Sequence, residues 1–328
     1  MIVKVFLNSA GQYYQHEMLT KFAEGIKKRD QEIDVELDLS DEYNHCDIAV
    51  MFGSWKDREK GHHITRSSVA QRARCFITIE TPLLGRQVWE ENSQWRVGVN
   101  GFLNNQGMFV KKSMKAKTPG VRYNKLNLGN FSGWQNDKDG HILIMLQLPG
   151  DASLRRANIY EWASDVISQI RRRTNKRIIV RPHPLANTKD GDQFFEFYYK
   201  LMQIGYQNIH FSDSKAVPLK QDLTKAYCSI SFSSGSAVDS ILNGIPTIAC
   251  DPGNFAWEIS ARYPDQIDDL IKVSNSTVEQ WLWDLAWYQW SVQEMKTGEC
   301  WEHIYPICQD IIAESIEHEA REAGKRKK

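Results

Sequence analysis

Between Ser229 and Asp251 the chain reads Ser-Ile-Ser-Phe-Ser-Ser-Gly-Ser-Ala-Val-Asp-Ser-Ile-Leu-Asn-Gly-Ile-Pro-Thr-Ile-Ala-Cys-Asp, an order that few architectures admit. A short apolar run (Tyr227 to Phe232) ends in the small polar loop Ser233-Ser234-Gly235-Ser236. A helix-length segment follows, then Gly244, Pro246 and a second apolar run, Thr247 to Cys250. The pattern predicts strand, loop, helix, strand. The loop falls where a strand's carboxyl end meets a helix amino end, so its N–H groups, its hydroxyls and the helix dipole favour an anion, with a diphosphate as the natural occupant. A plain strand-to-helix connection with Ser236 as N-cap has the same signature.

The rest of the chain repeats this alternation. Strands are predicted at Ile2 to Leu7, Val35 to Leu39, Asp47 to Phe52 and Cys75 to Ile79. The first helix carries Met18, Leu19, Phe22, Ala23 and Ile26 at helical spacing, and a second is predicted from Arg66 to Arg74. Residues 100 to 140 are rich in Asn and Gly and hold the basic cluster Lys111 to Lys117, which predicts loops and a linker. Beyond it, strands are predicted at His141 to Leu146, Arg177 to Val180 and Ile209 to Phe211, with helices from about Tyr160 to Arg173 and from Phe194 to Ile204. Strands alternating with helices predict mostly parallel sheets covered on both faces, with ligands outside the carboxyl ends of the strands.

A chain of 328 residues exceeds one typical domain, so two α/β domains are expected. Lys plus Arg equals Asp plus Glu at 41 each, so a nucleic-acid or membrane partner would have to be met by a local patch. The six cysteines are scattered without a C-x-x-C pair, which points to a reduced, cytoplasmic protein without structural zinc. No run of 18 apolar residues predicts a membrane span.

Three strand-end loops of the second half share one sheet edge: Gln147 to Asp151, Arg181-Pro182-His183-Pro184, and Ser233 to Ser236. Together they offer hydroxyls, backbone N–H groups, an Arg and a His to a nucleoside diphosphate. The plain alternative for Arg181 to Pro184 is a rigid extended turn with a solvated Arg. Asp239, three residues after Ser236, either holds a ribose hydroxyl or stabilises the helix dipole. Asp251 follows the last apolar run toward the same edge. Glu80 ends a strand at Thr81-Pro82 and is a candidate general base, against the alternative of an exposed strand-end carboxylate. His62-His63 is an adjacent pair on a polar stretch without metal-ligand spacing. Asp137-Lys138-Asp139 and Asp190-Gly191-Asp192 match a D-x-D pattern in polar loops, where chance matches are common, and are read as surface. Trp283, Trp287 and Trp290 fall at i, i+4 and i+7, a stripe read as core packing. Lys111 to Lys117, with Arg122 and Lys125, are positioned to track a phosphate backbone, or form a solvated loop.

The stretch running from Gln147-Leu148-Pro149-Gly150-Asp151-Ala152-Ser153 through Trp162, Ile170 to Thr174 and Arg181-Pro182-His183-Pro184 to Ser233 to Ser236 and Asn243-Gly244-Ile245-Pro246 resembles GT-B-type glycosyltransferases. The likeness is to the capsular-polysaccharide transferase group and to phage-encoded relatives, and it covers roughly residues 141 to 255. It implies an α/β fold of two Rossmann-like domains facing a central cleft. The expected layout is an acceptor domain at 1–125, a linker at 126–140, a nucleotide-sugar domain at 141–275 and C-terminal helices at 276–328 packing across the domains. It further implies metal-independent sugar transfer from a nucleotide donor, expected to be UDP-linked, with no cofactor. Gln147, Arg181, His183, Ser233, Ser234, Gly235, Ser236 and Asp239 are then the donor-binding candidates, and His183 and Glu80 the catalytic ones. Gly11, Lys56, Lys111, Lys112 and Lys115 are the acceptor-binding candidates. Asp239 departs from the family, which often has a Glu after the loop. Phage enzymes of this architecture glycosylate hydroxymethylated pyrimidines, so double-stranded DNA is the leading acceptor and a capsule-type polysaccharide the alternative. A sugar-nucleotide epimerase and a non-catalytic binding protein are the competing classes.

Overall fold

The computed structural model describes residues 1–8, 11–53, 61–85, 93–135, 137–186 and 191–325. Lys56, Asp190 and the side chains of His62, His63 and Asp192 lie outside the described residues. Two compact units divide the chain. Met1–Phe102, Gln106–Leu128 and Gln280–Lys328 make the first, and Leu103–Asn105 with Gly129–Glu279 the second. The C-terminal segment expected as a separate element from 276 thus supplies most of its length to the first unit.

In the first unit β1 (Ile2–Phe6), β2 (Asp34–Asp38), β3 (Ile48–Phe52) and β4 (Cys75–Glu80) form as the apolar runs predict, joined by α1 (Tyr13–Arg29) and α2 (Gly61–Arg72). These four strands are parallel. Two further strands, β5 (Gln94–Val99) and β11 (Gln289–Ser291), add antiparallel and give the order β11-β5-β4-β3-β1-β2. The short helix α3 (Val121–Lys125) lies in the segment expected to be loop. The central strand β3 is buried along nearly its whole length, as a sheet covered on both faces requires. One face packs Phe22 and Ile26 of α1 against Val5, Val50 and Ile77, and the other packs Phe6, Tyr43, Met51 and Val69 together.

The C-terminal helices α8 (Asn275–Trp287), α9 (Val292–Thr297) and α10 (Glu299–Lys325) follow. Helix α9 approaches α1 so closely that a Cβ on Gly25 would lie 1.9 Å from the Met295 carbonyl oxygen. Trp283, Trp287 and Trp290 do not form one helix face, because α8 ends at Trp287 and Trp290 belongs to β11. They are packing residues nonetheless: the Trp287 and Trp290 rings meet at 6.1 Å, and Arg122 lies 3.8 Å over Trp290.

The second unit is a five-stranded parallel sheet in the order β10-β9-β6-β7-β8. Its strands are β6 (His141–Met145), β7 (Ile178–Arg181), β8 (Ile209–Phe211), β9 (Ala226–Ser231) and β10 (Thr247–Ala249). Helices α4 (Ile159–Arg171), α5 (Gly191–Ile204), α6 (Leu219–Leu223) and α7 (Ser236–Leu242) connect them. Asn158 caps α4 by accepting the amides of Tyr160 and Glu161, and Val166, Ile167 and Ile170 turn inward against Ile142, Ile178 and Ile230. The chain winds from β6 outward through β7 to β8, then returns to the other side of β6 as β9. That reversal places a switch point between β6 and β9.

Candidate functional site

At this switch point the loops after β6 and β9 are fastened together by one buried side chain. Gln147, 7% exposed, accepts the Ser233 N–H on Oε1 at 2.9 Å. Its Nε2 donates to Ser233 Oγ at 3.1 Å and to Ser153 Oγ at 2.5 Å. Ser233 Oγ in turn donates to the Ser153 carbonyl at 2.8 Å, and Ser153 Oγ to Asp151 at 2.6 Å. The amide side chain is therefore fixed in orientation and ties the two loops together.

Above this layer the Ser234 and Ser236 hydroxyls stand 2.7 Å apart, both half-buried. The N-cap of α7 is Gly235, not Ser236, and α7 has seven residues, so its dipole adds little to an anion site. Nor is the whole loop available as a cradle: the amides of Ser233, Ser236, Ala237 and Val238 already have partners within the unit. Among the described residues the amides of Ser234 and Gly235 donate to none. Asp239 sits in the first turn of α7, half-buried.

On the β10 side Asp251, 6% exposed, accepts the Gly253 N–H at 2.7 Å and pairs with the Arg155 guanidinium. Arg155 and Arg156 both hold left-handed backbone, with φ of 48° and 74°, a conformation that costs a non-glycine residue about 1–2 kcal/mol. The ion pair to a buried carboxylate sets a cation beside the Ser233 loop. Nothing in the sequence marks Arg155, whose partner lies 96 residues away. Asn254, fully buried, donates to Ser231 Oγ at 3.0 Å and to the Phe232 carbonyl at 2.8 Å, which fixes the end of β9. Burial pushes the neighbouring Cys250 thiol up to about 12, so it is no nucleophile.

On the β7 side Arg181 is not a solvated strand-end arginine. It is 8% exposed and paired with the buried Asp222 of α6, and Asp222 also accepts Ser212 Oγ at 2.6 Å. Its charge is balanced inside the unit. His183 accepts the Leu185 N–H on Nδ1 at 3.2 Å, which places the proton of the neutral ring on Nε2.

In the first unit a second crevice lies at the switch between β1 and β3, lined by Asn8, Gly11, His16, Thr65 and Arg66. A Cβ on Gly11 would fall 2.4 Å from His16 Nε2, so the close turn requires glycine. Glu80 ends β4, accepts the Thr81 N–H at 3.2 Å and acts electrostatically on Arg66. Burial lowers the Arg66 guanidinium from its ordinary value, and the Glu80 charge opposes that shift.

The basic segment is fastened elsewhere. Lys111 pairs with Asp310 at 3.4 Å, Thr118 Oγ1 donates to Asp284 at 2.6 Å, and Lys112 and Lys115 are exposed. Arg122 does not track phosphates: it is buried, forked onto Glu294 at 2.8 and 3.0 Å, and donates to the Gln289 carbonyl at 2.8 Å. Among the described residues no cluster of three or more His, Cys, Asp or Glu side chains forms a metal site, and no helix is long and apolar enough to cross a membrane.

No family model and no curated protein matches the sequence. Solved structures do match the fold. The beta Kdo 2,4 transferase of Thermosulfurimonas dismutans KpsC superposes with a TM-score of 0.50 at 12% identity, covering 95% of this chain and 98% of that one. The beta Kdo 2,7 transferase of the same protein gives 0.49 at 12% identity, over 86% and 89%. The Methanocaldococcus jannaschii UDP-GlcNAc 2-epimerase, solved with UDP-GlcNAc and UDP, gives 0.33 at 12% identity, over 94% and 99%. The fold is α/β with two Rossmann-like units, of the GT-B-like class.

Proposed function

We propose that this chain is a glycosyltransferase that moves a sugar from a UDP-linked donor to an acceptor hydroxyl, with the donor diphosphate at the switch point of the second sheet. The observation that carries the reading is the Gln147 carboxamide, which locks the β6 and β9 loops together where a parallel sheet of this order binds its ligand. The Ser234 and Ser236 hydroxyls, the Ser234 and Gly235 amides and His183 Nε2–H are the donors assigned to the departing diphosphate. Asp239 is assigned to a ribose hydroxyl, and Glu80 of the first unit to the acceptor proton. Arg181 supports the site through Asp222 instead of through the ligand.

The proposed acceptor is the hydroxymethyl group of a 5-hydroxymethylpyrimidine in DNA. The exposed Lys112, Lys115 and Lys117 support phosphate contacts there, without Arg122. An enzyme of this kind extrudes the base or otherwise reaches its hydroxymethyl group.

The test incubates the protein with a panel of sugar nucleotides and with hydroxymethylcytosine DNA, hydroxymethyluracil DNA or an oligosaccharide, followed by mass analysis of digested products. Sugar on a nucleoside is the expected result, while sugar on the oligosaccharide alone moves the acceptor to a polysaccharide. Epimer formation from the donor alone, or the lack of any thermal stabilisation by all sugar nucleotides, overturns the transferase reading. A bound donor at about 100 times its dissociation constant should add about 2.7 kcal/mol.

A further inference from the structure

A diphosphate is multiply charged, yet the hydroxyls, amides and imidazole assigned to it above are neutral, and the Arg181 guanidinium is balanced by Asp222. Arg155 differs from Arg181 in exposure and in what its donors do. Its side chain is 35% exposed against 9%, and among the described residues only its Nη2 has a partner, Asp251. Arg181 spends both Nη groups on Asp222, Ser212 and Ser214. Nε and Nη1 of Arg155 are therefore open donors on a cation that its partner holds in place.

The strand order locates that cation, because β9 lies between β6 and β10. Ser153 of the β6 loop already leans over β9, its carbonyl accepting Ser233 Oγ at 2.8 Å, and Arg155, two residues on, reaches Asp251 beyond the end of β10. Asp251 is itself pinned. Its Oδ1 accepts the Gly253 N–H at 2.7 Å, a Cβ on Gly253 would fall 2.8 Å from that oxygen, and Asn254 ties the same loop to Ser231 and Phe232. The Arg155 side chain thus crosses the end of β9, where the loop from Ser233 to Ser236 begins. At φ 48° a glycine or asparagine would hold the turn at lower cost, so the guanidinium is what an arginine adds there.

Resting on the donor-site reading above, we propose that Arg155 is a catalytic residue, the cation that meets the departing diphosphate through Nε and Nη1, with Asp251 as its positioning residue. In the transfer the bond between the anomeric carbon and the β-phosphate oxygen breaks, and its electron pair leaves on that oxygen. The acceptor oxygen bonds to the carbon and gives its proton to Glu80, as assigned above. The diphosphate gains a negative charge, which a guanidinium already held in place stabilises more than it does the intact donor.

The test is calorimetric titration of the full chain with UDP, CDP, GDP and ADP, and ligand-observed NMR with the matching nucleosides. Arg155→Met should weaken the diphosphate that the parent binds by about 10- to 100-fold and leave its nucleoside within about threefold. Because that change strands a buried carboxylate, the R155M/D251N double variant is measured beside it and should show the same loss while melting closer to the parent. Asp251→Asn alone should weaken the diphosphate by less, and its effect should vanish once Arg155 is gone, the coupling expected of a positioning residue. A diphosphate bound by both Arg155 variants as tightly as by the parent, or a diphosphate and nucleoside weakened alike, overturns the role of Arg155 and leaves the donor site standing. A parent that binds none of the diphosphates removes the donor-site reading and this assignment with it.

Discussion

The Gln147 side chain reaches across 86 residues of sequence to take the N–H of Ser233 at 2.9 Å, with both groups buried. Gln147→Ala strands that amide without a partner, and a loss of about 1–3 kcal/mol in urea unfolding is expected. Donor affinity should fall further than stability alone explains, measured as the dissociation constant of a sugar nucleotide under conditions where the variant is fully folded. An unchanged dissociation constant would detach the two-loop staple from ligand binding.

Arg181 and Asp222 call for the opposite split. Arg181→Ala leaves a buried carboxylate uncompensated and should cost about 3–5 kcal/mol, whereas an R181M/D222L double change should recover most of that. If Arg181 acts through Asp222, the double variant keeps its donor affinity within about threefold. A much larger loss, read by calorimetric titration, would return Arg181 to direct donor contact.

The His303 imidazole, packed between Trp287 and Trp290, is pushed down to about 4 by burial, while its Nε2–H donates to the Phe109 carbonyl at 3.0 Å. The folded chain thus holds it neutral, and the unfolded chain, with an ordinary value near 6.5, binds the proton first. Its contribution is complete above pH ~6.5 and is lost as pH falls toward ~4, by about 3 kcal/mol in all. Denaturant midpoints compared between the parent and His303→Phe over that window should converge as the pH drops. Parallel curves would mean that His303 keeps an ordinary imidazole value in the fold.

Arg122→Lys keeps the charge but loses the fork onto Glu294 and the stack on Trp290, and should lower stability by roughly 2 kcal/mol. If DNA is the acceptor, the same change should leave the salt dependence of DNA binding intact. Replacing Lys112 and Lys115 with Ala should reduce the slope of log affinity against log salt by about 2. Filter binding over a salt series separates the two.

What the sequence makes legible is what depends on neighbours along the chain. The strands β1, β3, β6 and β9 announce themselves as apolar runs because both faces of each are covered. Strand β5 is missed because Arg96 and Gly98 interrupt its apolar pattern, and β11 because its three residues directly follow a helix whose tryptophan spacing they continue. At the site, Gln147, Ser233 and their neighbours fall at strand ends and are found from that position. Arg155 and the burial of Arg181 are not, because their partners, Asp251 and Asp222, are 96 and 41 residues distant and sit in ordinary polar segments.

The pairing of Trp290 with Trp95 also sets an order of events during synthesis. Apart from three residues, the second unit is continuous from Gly129 to Glu279, whereas the first is completed only by the chain that follows it. As the polypeptide emerges, β5 presents an unpaired edge, and the α1 surface around Gly25 goes uncovered until β11 and α9 arrive. The second unit can therefore mature while its predecessor waits. Truncation just before Gln289 should yield a protein that aggregates through that open edge.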